Sequence, residues 1–386
     1  MKNVVAIISF LLLAISCSDN NVELTNKKLN IEINNNVELL GFVYFLGFEG
    51  PISDSQTLEI NGRQILHKDW HSYGFNFYQK YESFGGSENL ASAFGVADHL
   101  WLDYLINLLI QVEEFPNARL LQTIDEDYYL NFSKSGDANE AKKNVSIFLE
   151  GLNQFYEEVG FESYLSESQA YYDNALAQVR DNLPEIGLLD MMEKFYRKEF
   201  DRYTLIPSLT IPKGMGFGDK YTSNGLVNIY NVFGAFDFQH FEDSLKLDLG
   251  FNNKRRLLEL SIHEFGHSFV NPVIDQITDE EIILTEKLFD PIKSEMSAQG
   301  YNTWKSCLYE HFVRAGEVIV TKNLGNIEDA KNLQTHYVED RKFIYMPIII
   351  KELEEYDSNQ QMSYLDVVTI AMEELITVVN KIPTTN

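Results

Sequence analysis

Apolar residues in this chain recur mostly at helical intervals. From Ser87 to Phe115, the residues Leu90, Phe94, Ala97, Trp101, Tyr104, Leu105 and Leu108 stand three or four apart, which predicts a helix packed on a core with Ser87 and Glu88 at its cap. Stretches 137–159, 165–181 and 185–200 repeat that spacing with almost no proline and read as further helices. Val37 to Phe48 is mostly β-branched, aromatic and leucine, bounded by Asn34-Asn35-Asn36 and by Gly50-Pro51; it reads as a buried strand or the start of a helix. The period changes near residue 202. Tyr203 to Ile211 favours extended chain, Gly214, Gly216 and Gly218 punctuate a turn, and Val227 to Phe236 continues as a strand with both faces covered. After Gly250 helical spacing returns, with Asn252 or Asn253 capping one helix and Asn302 or Thr303 starting another. The predicted class is α+β: a mainly helical region over 31–200, then a core over 201–386 in which a small sheet precedes more helices.

Length and composition narrow the function. With 386 residues, 45% hydrophobic and 23% charged, the chain is long enough to bury a large core, which excludes a disordered tail or a disulfide miniprotein. A net charge of -27 repels phosphate backbones, so no nucleic-acid partner is expected. Cys17 and Cys307 cannot supply a disulfide framework, and Cys307 is expected in a helix core.

The N-terminus reads as an address. Lys2 is followed by an apolar run from Val4 to Ala14 that is too short to span a bilayer comfortably, so residues 1–16 are expected to be a cleaved signal peptide. Ala14-Ile15-Ser16-Cys17 resembles the bacterial lipobox, which implies acylation of Cys17 and an exported, membrane-anchored lipoprotein facing the periplasm or the cell surface. Residues 17–30 then form a lipidated tether, and the lipid on Cys17 is the expected membrane contact.

Chemistry concentrates in His263-Glu264-Phe265-Gly266-His267. The i, i+4 spacing stacks both imidazoles on one helical face, so His263 and His267 arrive as two preassembled metal ligands. Glu264 is turned away from direct ligation but close enough to take a proton from a water on the metal, which makes it the expected general base. Leu257, Leu258, Ile262, Phe265 and Phe269 form a separate apolar surface, and Asn271-Pro272 is expected to end the helix. Two glutamates compete as third ligand. Glu286 follows His267 after eighteen residues, a spacing that resembles the aminopeptidase branch of the gluzincins without its asparagine-glutamate context. Glu310 shares a helical stripe with Arg314 and Glu317, either as a solvent-facing ion-pair ladder or as a ligand held by an arginine.

The run from His263 to Pro272, with Tyr309-Glu310-His311-Phe312-Val313-Arg314-Ala315 downstream, resembles an uncharacterised family of exported bacterial proteins regarded as zincin-like metallopeptidases. Asn36-Val37-Glu38-Leu39-Leu40 resembles the opening of that family's domain. The resemblance implies a gluzincin-like fold and moves the third-ligand assignment to Glu310, with Glu286 as rival. The residue four after Glu310 is Arg314 rather than the acid of the thermolysin pattern, so the carboxylate that steadies a ligand histidine must come from elsewhere; Asp275 is one source. His311 and Arg314 are the expected oxyanion stabilisers, with Tyr309 and Tyr230 also suitable by type. Val227 to Phe236 is the expected edge strand for an extended substrate. The expectation is therefore zinc-dependent hydrolysis of a peptide or protein by a metal-activated water. The competing expectation is an inactive surface lipoprotein that binds a peptide or glycan.

Overall fold

A computed structural model describes residues 29–60, 62–183, 187–241 and 246–381. The expected signal peptide, Cys17 and the expected tether up to residue 28 lie outside the described residues. The architecture is α+β and mainly helical. Strand β1 (Leu29–Ile31) begins within the range read as tether; β2 (Thr57–Ile60) and β3 (Arg63–Leu66) form a separate hairpin. The remaining strands are β4 (Arg202–Pro207), β5 (Gly216–Ser223) and β6 (Leu226–Phe233), and the larger sheet has the order β1-β4-β6-β5. β1, β4 and β6 run parallel, while β5 is antiparallel to β6 and forms the edge.

Two expectations about the sheet change here. Val227 lies in an interior strand, paired on both sides, so it is not the edge. Gly216 and Gly218 are strand residues rather than turn residues, and only Gly214, at φ 80°, takes the left-handed conformation of a turn. The glycines serve close approach. A Cβ on Gly218 would lie 2.4 Å from the Glu264 carbonyl oxygen, and one on Gly216 would lie 2.7 Å from Leu260 Cδ1.

Capping settles several of the helices. Asn34 accepts from the backbone N–H groups of Asn36 and Val37, which starts Asn35–Tyr44 as a helix and resolves the strand-or-helix ambiguity. Its Glu38 is buried; Tyr172 donates to the carboxylate at 2.9 Å, and desolvation pushes its pKa up to about 7. The apolar spacing from Ser87 to Phe115 spans a break between Glu88–Gly95 and Leu102–Leu109. Trp101 stands at that break, 74% exposed, although its spacing assigned it to the core face. Gly160, at φ 65°, joins Ala138–Val159 to Phe161–Asp181 in a left-handed turn.

Candidate metal centre

The site is built from two helices and one strand. The histidine helix runs from Lys254 to Ile274 and is capped by Asn253, whose side chain accepts from the Arg256 N–H. Its apolar face is buried, with Phe269 stacked on Tyr196 at 4.6 Å and Phe265 edge-on to Tyr203 at 5.2 Å. His263 and His267 project from another stripe and remain partly exposed. The helix does not end at Asn271-Pro272, because Asp275 N–H bonds the Asn271 carbonyl at 2.9 Å and closes the last turn beyond the proline. Proline there removes only the bond that its own missing N–H would have made to Ser268.

The glutamate helix, Trp304–Asn323, starts at a capping box between Thr303 and Ser306. It is packed against the histidine helix on one side and against Ile327–Thr335 and Met346–Ser358 on others, so both of its stripes are buried. Glu310, Arg314 and Glu317 therefore do not form a solvent-facing ladder; Glu317 is 1% exposed.

Donor atoms of His263, His267 and Glu310 all lie within 4.8 Å of one another. Nε2 of His263 is 3.6 Å from one Glu310 oxygen, and Nε2 of His267 is 3.4 Å from the other. These separations are long for hydrogen bonds but close to the edge of a tetrahedron with bonds of about 2.0–2.1 Å, roughly 3.3–3.4 Å. The outer ring nitrogens face acceptors. Nδ1 of His267 meets Asn271 Oδ1 at 3.2 Å, and Nδ1 of His263 faces Glu317 Oε2 at 3.6 Å. Protons on both Nδ1 atoms leave the Nε2 lone pairs directed at the shared centre, so the donor set fits a divalent ion.

Burial works against charge on Glu310, but Arg314 and the two imidazoles outweigh it and hold the carboxyl well below the usual range. Arg314 Nη2 lies 2.9 Å from Glu310 Oε2, and the guanidinium is set over Tyr337 and Phe343 at 4.7 and 4.9 Å. Burial also opposes charge on His267, yet Glu310 and Glu264 together raise it to about 9. In the bare protein His267 therefore holds a proton at neutral pH, and metal binding must displace it. Glu264 is buried on the side where β5 crosses, with Oε1 3.0 Å from the position a Gly216 Cβ would take.

Other expected residues fall elsewhere. Glu286 is exposed and is not part of the three-residue group. Asp275 pairs with Lys305 at 2.7 Å and accepts from Tyr309, so it is engaged away from the histidines; His267 is held by Asn271 instead, and Glu317 faces His263 without a hydrogen bond. His311 is 0% exposed, donates from Nδ1 to the Cys307 carbonyl at 2.8 Å and is packed among Trp304, Phe343 and Tyr345. A ring enclosed in this way cannot reach a substrate, so its expected oxyanion role is corrected to a core one. Arg314 sits behind Glu310 and positions that carboxylate. Tyr230 is buried in β6. Sequence reasoning missed the partners of the outer nitrogens; the signals were Asn271 at i+4 from His267 and Glu317 one heptad beyond Glu310, on the stripe facing the histidine helix.

Residues 131–378 match a family described only as a domain of unknown function, DUF4932. The chain belongs to that family. No curated protein and no solved structure matches it. The DUF4932 match spans both site helices and β4, β5 and β6, and it begins after the Asn35–Tyr44 helix and the β2–β3 hairpin.

Proposed function

We propose that this protein is a zinc-dependent peptidase of zincin-like architecture, held at a membrane through a lipid on Cys17. The observation that carries the reading is the convergence of His263, His267 and Glu310 beside Glu264, under a strand edge. Two imidazoles and one carboxylate suit zinc better than magnesium or calcium, which favour sets made of oxygen alone. When bound, zinc supplies Lewis-acid polarisation of a peptide carbonyl and acidifies water. Glu264 takes the proton from the attacking water and returns it to the leaving amine. Arg314 keeps Glu310 ionised, Asn271 orients the His267 ring, and the Glu317 carboxylate faces Nδ1 of His263. An extended peptide would lie along the Gly216 end of β5, above Glu264; farther along, Tyr128 already donates to the Lys220 carbonyl at 3.0 Å.

Glu264→Gln tests the reading. Hydrolysis of an unfolded protein should fall by about 10²–10⁴-fold while the zinc content stays at the wild-type value. Unchanged turnover, or a wild-type protein whose activity ignores a chelator, refutes it.

A further inference from the structure

A second group of the same composition lies outside the histidine helix and outside the residues matched to DUF4932. Glu49, His67 and His71 offer donor atoms within 4.8 Å of one another. Glu49 ends the wide turn Phe45–Glu49, and His67 opens the single helical turn His67–Trp70, with His71 directly after it. Each is at most 9% exposed. Nε2 of His67 lies 3.1 Å from Glu49 Oε2, yet that oxygen is without a hydrogen-bond partner, and so is the buried Nδ1 of His67. Two polar atoms at that separation and out of line for a hydrogen bond are placed as neighbouring ligands of one ion would be.

We propose that Glu49, His67 and His71 form a second divalent-cation site, of the zinc type and independent of the first, which ties the turn Phe45–Glu49 to the helical turn His67–Trp70. Lys213 belongs to the loop before β5. Its backbone N–H meets His71 Nδ1 at 3.2 Å, a long bond that ligation through Nε2 would release as the ring proton moves to Nδ1. Its ammonium sits over Trp70 at 3.9 Å and over Phe238 at 4.9 Å, so aromatic faces hold it.

Zinc counting on the purified mature protein, with thermal melts, tests the site. Wild type should bind two zinc ions per chain, His263→Ala one, and Glu49→Gln or the His67→Asn/His71→Asn double variant one. Glu49→Gln is nearly isosteric and guards against variants that fail to fold; native circular dichroism with a count lowered by one supports the site. A count that stays unchanged in Glu49→Gln and in the double variant overturns it, as does a single wild-type zinc that vanishes with His263→Ala. A single wild-type zinc that survives His263→Ala and is lost with Glu49→Gln keeps this site while removing the catalytic one. Added zinc should raise the melting temperature of His263→Ala but not that of a chain carrying both His263→Ala and Glu49→Gln.

Discussion

Glu310 lies between a guanidinium and two imidazoles and keeps its charge; Glu38, in the N-terminal half, is surrounded by hydroxyls and is pushed toward neutrality. Both side chains are removed from water, so burial alone does not decide ionisation. The neighbours do. In the C-terminal half a cation is placed behind the carboxylate before any metal arrives, so the site is preorganised to hold charge. In the N-terminal half no cation among the described residues stands beside Glu38, and desolvation also raises Glu49.

The strongest way to break this contrast is to remove the cation. Arg314→Ala leaves the buried Glu310 with only the two imidazoles to balance it and should destabilise the metal-free protein by about 3–5 kcal/mol, read from urea unfolding in a chelator. Zinc should restore part of that loss by supplying the missing positive charge. An equal loss with and without zinc would count against Glu310 as a ligand.

Glu38 provides the opposite test. Its folded pKa of about 7 lies above the ordinary 4.5, so between those values the folded state holds more protons than the unfolded one. Stability attributable to Glu38 is then fully present below about 4.5, declines as pH rises through that window and levels off above about 7. Glu38→Gln should remove this component, and at pH 8 it should exceed wild type by up to about 3 kcal/mol, less whatever hydrogen bonding the amide fails to reproduce. Denaturant titrations of both proteins at pH 4 and pH 8 measure it; an identical difference at the two pH values would erase the contrast.

A smaller effect separates the carboxylate that binds from the one that orients. Glu317→Gln keeps the shape but weakens the acceptor for His263 Nδ1, and zinc affinity should fall by about 10–100-fold. Competition with a chromophoric chelator reads this directly, and an unchanged dissociation constant would reduce Glu317 to the acceptor of the Tyr337 hydroxyl, which donates to Oε2 at 2.8 Å.

Residues whose roles depend on local periodicity were legible in the sequence. The i, i+4 histidines, the Asn253 cap and the helical first half all follow from spacing within one element. Roles fixed by packing between elements were not. His311 and Glu310 are adjacent in sequence, and only the arrangement of the surrounding helices decides that one ring enters the aromatic core while the other side chain meets the histidines. Gly216 and Gly218 suggested a turn because glycine signals both turns and close approaches, and the helix beneath them lies more than thirty residues away in sequence. Glu49, His67 and His71 gave no comparable signal, since His67 and His71 are held by a single helical turn with no long amphipathic segment around them.

The pairing of Leu29 with Tyr203 has a bearing on biogenesis. A strand that leaves the ribosome early must wait for a parallel neighbour made much later, so the β-sheet cannot be completed until more than half of the polypeptide has emerged. Any holding factor that shields the newly emerged N-terminal segment would act before the sheet exists.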